Sequence, residues 1–261
     1  MPPPVSVCIL AKDEARKIGH ALDSARACSW VTEIVVFDSG STDATVEIAR
    51  RYTDRVEFQP WVDFSTNRRK IVQAARNDWV FVLDADEEIS PELSAEISGL
   101  PDDRFRAHPI MTMPRKNYLL GRHVRAWDPD RIDRLFDRRR VTWPARSVHD
   151  FREPTEGTPL ALGRPILHNR HVDDWHDYFD GLRYAHRTEA LAREMYEAGK
   201  RVGYLGLCLR PCAAFLKFYL LKGGWRDGAF GLLVAQKAAL SVQLKYARLW
   251  HLQRQARAAR E

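Results

Sequence analysis

Short apolar runs alternate with polar loops and helix-period segments through the first hundred residues. Val5–Leu10, Glu33–Phe37, Arg55–Phe58 and Trp79–Leu83 read as strands. Between them, Ile18, Leu22 and Ala25 recur at helical spacing, Val46, Ile48 and Ala49 follow a loop rich in N-cap residues, and Asn67–Arg76 reads as a basic helix. Trp79–Leu83 is a run of large apolar residues, mostly β-branched or aromatic, which suits a strand buried on both faces. Strand–helix alternation at this spacing predicts an α/β fold with a doubly wound, mostly parallel sheet. Right-handed crossovers bring the carboxyl ends of its strands to one edge.

The pattern changes twice. Residues 101–173 are richer in Pro, Arg and Trp, with strands expected at Met111–Arg115, Ile132–Phe136 and Pro165–Leu167. From 174 the chain is helical: about Trp175 to Ala198, then the apolar stretch Gly203–Leu221 broken at Arg210-Pro211, then Ala229–Trp250. The expected organisation is a first half (1–100) and a second half (101–173) of one domain, followed by a helical extension (174–261).

Charge sharpens the reading of that extension. The net charge is +6, yet residues 200–261 hold twelve Lys/Arg against Asp227 and Glu261. The rest of the chain is therefore slightly acidic. Apolar helices carrying Lys, Arg, Trp and Tyr suit the headgroup zone of an anionic membrane. A layer packed on the sheet or a dimer interface would use the same pattern. No run of 18 apolar residues exists, so no spanning helix is expected. The start, Met1-Pro2-Pro3-Pro4, lacks the features of a signal peptide. Four cysteines do not make a disulfide framework; Cys8 reads as core, and Cys208 and Cys212 as small packing residues. A reducing cytoplasm fits.

The chemistry sits at the strand ends. Asp13/Glu14, Asp38/Asp43 and Asp84/Asp86 each follow a strand, where open α/β sheets bind ligands. Asp84 and Asp86, alternate residues of an extended segment, can address one cation together. Asp38 also suits a turn, and Asp43 a helix cap. Neither a Gly-x-Gly-x-x-Gly nor a Gly-Lys-Ser/Thr loop is present, so dinucleotide and P-loop readings lose their support. A nucleic-acid-binding protein would explain the basic end but not the acidic strand ends, and no nucleic-acid partner is expected. A nucleotidyltransferase would carry a Gly-rich basic loop after the first strand, and Ala11–Glu14 is not one.

Three segments carry a resemblance: Ser6-Val7-Cys8-Ile9-Leu10-Ala11-Lys12-Asp13-Glu14, Ile34-Val35-Val36-Phe37-Asp38-Ser39-Gly40-Ser41-Thr42-Asp43, and Asp78-Trp79-Val80-Phe81-Val82-Leu83-Asp84-Ala85-Asp86-Glu87. They resemble the donor half of an inverting glycosyltransferase of family 2 with the GT-A fold. Arg134-Leu135-Phe136, Ser147-Val148-His149-Asp150 and Arg210-Pro211 through Leu221-Lys222 also look like the subgroup of bacterial lipopolysaccharide-core β-1,4-glucosyltransferases. The resemblance implies transfer of a hexose, glucose from a UDP-linked donor, to a lipopolysaccharide-core or other lipid-linked glycan at the inner face of the cytoplasmic membrane. Implied donor contacts are Ala11, Asp13, Glu14, Asp38, Ser39, Arg68, Asp84, Ala85, Asp86 and Arg134. Asp38 is assigned to the nucleoside, and Asp84 and Asp86 to a Mn²⁺ or Mg²⁺ ion on the diphosphate. Arg69 stands where the subgroup has Asn, while Arg68 matches. A polyprenyl-phosphate glycosyltransferase would use the same donor half and the same membrane-seeking end. A non-catalytic nucleotide-sugar-binding protein would differ only in turnover.

Direct attack by an acceptor hydroxyl inverts the anomeric carbon and needs one general base. That base lies across the sugar from the leaving group, hence outside the donor half. Asp150 is preferred, because the subgroup has Glu there after Val-His; Asp130 is the runner-up. His149 suits either a metal or diphosphate ligand or a loop-orienting residue. His168 and His171 flank Asn169-Arg170 and suit a diphosphate contact. Trp127 and Trp143 suit stacking on a sugar ring or packing in the core.

Overall fold

The computed structural model describes residues 2–143, 152–171 and 181–258. In chain order the strands are β1 (Val5–Ala11), β2 (Val31–Asp38), β3 (Val56–Phe58), β4 (Trp79–Asp84), β5 (Glu87–Ile89), β6 (Ile110–Leu119), β7 (Arg122–His123), β8 (Arg131–Asp137), β9 (Val141–Thr142), β10 (Glu153–Pro154), β11 (Leu160–Ala161) and β12 (Ile166–His168). The helices are α1 (Ile18–Arg26), α2 (Thr45–Arg50), α3 (Phe64–Ala74), α4 (Pro91–Ser98), α5 (Asp102–Ala107), α6 (Gly181–Glu197), α7 (Tyr204–Leu216) and α8 (Ala229–Ala258). The chain forms two compact units, residues 1–121 with 129–172, and residues 122–128 with 173–261.

The first unit is built on a sheet in the order β3-β2-β1-β4-β8-β6-β12-β5. β3, β2, β1 and β4 are parallel. β8 enters antiparallel between β4 and β6, and β12 lies parallel to β6 and antiparallel to β5. Both faces are covered, which explains the unbroken apolar runs. Val5, Val7, Ile9, Phe81 and Leu83 pack with α1 and α4 on one face. Cys8, Val35, Val80, Val82 and Phe136 pack with Ile71 and Val72 of α3 on the other. α4 is capped by Ser90, whose hydroxyl accepts from Leu93 N, with Pro91 in its first turn. α3 begins three residues before the expected Asn67, because Asp63 caps it by accepting from Thr66 N at 2.7 Å.

The second unit is a helical hairpin with α6 beside it. Its contacts pair Val202 with Gln253, Arg210 with Tyr246 and Gly224 with Gly231, as antiparallel helices require. Ala192, Val202 and Leu249 form its small core. α7 continues through a π-type turn at Lys217–Leu221. The continuous stretch Tyr204–Leu221 is, among the described residues, the one helix long and apolar enough to cross a bilayer, which the interrupted apolar pattern did not lead us to expect. Leu205, Leu209, Leu216, Leu220 and Leu221 are exposed. Cys208 and Cys212 are exposed as well, contrary to the expectation that they pack inside, because they lie on an outward face of α7.

The hairpin closes at two glycines. A Cβ on Gly231 would lie 1.8 Å from the Gly224 carbonyl oxygen, so the backbones would have to separate. Gly231→Ala is expected to destabilise the second unit by about 2 kcal/mol, as overpacking does. Urea denaturation followed by a probe in this unit measures it; an unchanged midpoint would show that the hairpin has slack there.

Candidate active site

The carboxyl ends of β1, β2 and β4 each bear acidic residues, and the structure gives the three groups different tasks. Asp38 ends β2 and turns its own loop, accepting from Gly40 N at 3.0 Å and from Ser41 N at 3.0 Å. Asp13 and Asp43 stitch the first two loops together. Thr42 N donates to Asp13 at 2.7 Å, Ala15 N to Asp43 at 3.0 Å, and Glu14 N to the Thr45 hydroxyl at 2.8 Å. Asp13 adopts φ +54° in this arrangement, a conformation that Asp tolerates better than most residues. Ser39 N donates to Ala11 O at 3.0 Å, which joins the ends of β1 and β2. Glu14 pairs with Lys17 at 3.1 Å.

Asp84 is held differently. Arg68 Nη2 donates to its Oδ1 and Arg134 Nη2 to its Oδ2, both at 2.5 Å. The same Arg134 nitrogen donates to Glu87 Oε1 at 2.6 Å. Arg134 and Glu87 are buried, and Asp84 keeps part of its surface. Burial disfavours the Asp84 anion, but the Arg134 and Arg68 guanidiniums outweigh it and hold the carboxyl well below the usual range. Burial likewise disfavours the Arg134 cation, and Asp84 and Glu87 more than restore it.

Asp86 faces the other way, toward β12. His168 Nε2 lies 3.4 Å from Asp86 Oδ2, and Asn169 N donates to Asp86 O at 2.9 Å. Burial raises Asp86, and His168 pulls it down further. Burial lowers His168, and Asp86 raises it by more. His168 Nδ1 meets Asn117 Oδ1 at 2.8 Å. Asn117 and Arg115, on β6, both donate to Asp130, at 3.1 and 2.8 Å. Asp130 is thus engaged within the sheet edge.

The remaining expectations divide. His171 pairs with Glu88 at 3.2 Å and stacks on His20, with 4.0 Å between ring centroids, so it stands apart from Asp86. Arg69 faces Ser65 and Trp143 instead of Asp84. Trp143 packs edge-on against Phe136 with Arg152 over its ring, the core role. Trp127 closes a short turn, Arg125–Trp127, in the second unit. Ala11 and Ala85 are buried backbone positions beside the acidic loops. His149 and Asp150 lie outside the described residues.

Among the described residues no three metal-ligating side chains cluster. A small hard cation does not need such a cage, since one or two carboxylates plus phosphate oxygens hold it. The donor set suits that arrangement. Asp84, Asp86, Glu87 and Asp130 face Arg68, Arg115 and Arg134, so one negative charge is in excess when His168 is neutral. Asp86 and His168 are the other candidate ligands, with Asn169 Nδ2 at 3.2 Å from His168 Nε2. Both Asp84 oxygens are engaged by guanidiniums, and ligation by Asp84 requires one of those pairs to open.

Three comparisons bear on this chain. Residues 6–141, just over half of it, match the model of glycosyl transferase family 2. The lipopolysaccharide core biosynthesis glycosyltransferase LpsC of Rhizobium meliloti is 27% identical over 271 residues, covering 98% of this chain and 95% of the relative. An uncharacterized glycosyltransferase of Rickettsia felis is 36% identical over 110 residues, 41% of this chain and 38% of that protein. A mannosyltransferase of Pyrobaculum calidifontis, solved with GDP-Man and Mn²⁺, superposes with TM-score 0.53 at 15% identity over 94% of this chain and 88% of that one. At that identity the likeness speaks for the fold.

Removing one partner of a buried pair leaves an uncompensated charge. Arg134→Met is expected to cost about 3 kcal/mol of stability, and Glu87→Gln in that background to recover part of it. Urea denaturation of the two variants measures this; a single variant as stable as the parent would show that Arg115 alone satisfies Glu87.

Proposed function

The chain belongs to glycosyl transferase family 2 and has the GT-A fold, and on that premise we propose that it transfers a hexosyl group, glucose from UDP-glucose, to a lipopolysaccharide-core acceptor with inversion. The observation that carries this reading is the Asp84–Asp86 pair at the carboxyl end of β4, one carboxylate braced by two arginines and the other facing a histidine. The near end-to-end match with a lipopolysaccharide core glycosyltransferase supports the acceptor class.

In this reading the nucleoside lies against the ends of β1 and β2, with Asp38 and Ser39 beside it and Asp13 and Glu14 holding the neighbouring loop. Asp86 and His168 would hold a Mn²⁺ or Mg²⁺ ion. Such an ion supplies Lewis-acid stabilisation of the departing diphosphate. Arg68 stands at the same edge and adds positive charge where the leaving group gains negative charge. Asp84 keeps Arg68 and Arg134 in place and is the second carboxylate available to the ion. Asp150 takes the proton from the attacking hydroxyl on the opposite side of the sugar. A single displacement of this kind inverts the anomeric centre.

The helical unit serves docking. Exposed leucines on α7, with Arg210, Lys217 and Lys222 along the same stretch, suit an anionic lipid surface at the inner face of the cytoplasmic membrane. That position gives the enzyme access to a lipid-linked acceptor.

Two measurements test these assignments. Purified protein offered UDP-, GDP- and dTDP-sugars with Mn²⁺ is expected to release nucleoside diphosphate slowly from UDP-glucose. Release should be lost with EDTA and in Asp86→Ala, and Asp150→Asn should bind donor yet fail to transfer to lipopolysaccharide core. Donor binding that survives both EDTA and Asp86→Ala would remove the ion and Asp86 from the site. Vesicle sedimentation tests docking: the protein is expected to bind anionic vesicles over zwitterionic ones, with Leu209→Glu/Leu216→Glu weakening retention at least tenfold. Equal retention of both proteins would assign the apolar face to another partner.

A further inference from the structure

Asp86 and His168 can act together only if the imidazole is aimed. Asn117 on β6 and His168 on β12 are register partners in a parallel pair, so their side chains stand next to each other on the sheet. Asp130 Oδ2 receives Arg115 Nε at 2.8 Å and Asn117 Nδ2 at 3.1 Å. An ionised carboxylate has no hydrogen to give, so the amino end of the Asn117 amide must face it. The carbonyl end then faces His168 Nδ1 at 2.8 Å and can only accept. That places the ring hydrogen of a neutral His168 on Nδ1 and leaves Nε2 as an acceptor, with the Asn169 Nδ2 donor at 3.2 Å and Asp86 Oδ2 at 3.4 Å beside it.

We propose that Asp130 and Asn117 are positioning residues that fix the orientation and tautomer of His168, presenting Nε2 beside Asp86. This rests on the reading of Asp86 and His168 as the ion-holding pair. It takes Asp130 out of the set of general bases, since two donors from β6 converge on its Oδ2. It also links the two aspartates through one chain of side chains. Asp86 leads to His168, Asn117, Asp130, Arg115 and Glu87, and from Glu87 through Arg134 to Asp84. Partners of metal-ligating histidines act in this way, and their loss costs about 10- to 100-fold in metal affinity.

The test is calorimetric binding of UDP with Mn²⁺ and with EDTA, for the parent, Asp130→Asn and Asn117→Ala. Both variants are expected to lose about tenfold or more of the Mn²⁺-supported affinity while their metal-free UDP binding stays unchanged. A fall in both binding modes would indicate general structural damage and overturn the proposal. Full Mn²⁺-supported affinity in Asp130→Asn with transfer abolished would make Asp130 the base. A parent protein that binds UDP equally with Mn²⁺ and EDTA would overturn the ion-holding reading itself. Nitrogen-15 spectra of the parent need no variant to fold except His168→Gln for assignment. The neutral His168 ring is expected to carry its hydrogen on Nδ1, and a hydrogen on Nε2 would overturn the proposal.

Discussion

Asp84 is kept as an anion by two guanidiniums, and much of the first unit is arranged to make that possible. Arg134 is buried, so it needs more than one countercharge, and it takes Asp84 and Glu87 through a single nitrogen. It reaches both because β8 runs antiparallel beside β4 with Leu135 opposite Phe81. Shifting that register by one residue would turn Arg134 to the opposite face of the sheet and leave two carboxylates without their cation. Apolar packing and charge compensation therefore select the same strand pairing.

Much of the sheet was legible because its strands are buried on both faces. An unbroken apolar run such as Trp79–Leu83 has few alternatives, and the acidic residues after it fall at the ligand-binding edge by topology alone. The importance of His168 was harder to read. Its partners, Asp86 and Asn117, come from other strands and meet it only because β12 inserts between β6 and β5. No local spacing records that insertion. The start of α3 was misjudged for a smaller reason: Asp63, upstream of the basic run, caps the helix. Asp130 was the second choice of base, yet its environment is set by Arg115 and Asn117 on a neighbouring strand.

The second unit follows other rules. Its core is small, and its polar links are few and specific. Gln253 exchanges two hydrogen bonds with the Val202 backbone, and Asp227, buried, accepts from Ala126 N. These fix the hairpin from both ends, while many of its leucines remain at the surface. The helices are thus defined by contacts along one side and leave apolar area on another. A basic sequence with an apolar exterior is the combination that interrupted hydropathy can only suggest.

The short strand β5 lies hydrogen-bonded to β12, with Glu87 and His168 opposite each other in register. The two ends of the first unit are consequently woven into one edge. Residues 1–100 hold the Asp84–Asp86 pair but not its arginine from β8, its histidine from β12 or the strand that supports β5. Residues 1–100 are therefore not a separable module. A chimera that exchanged residues 101–173 between relatives would have to carry Arg115, Arg134 and His168 as a matched set. Differences between relatives are then most freely accommodated in loops that leave these three positions untouched.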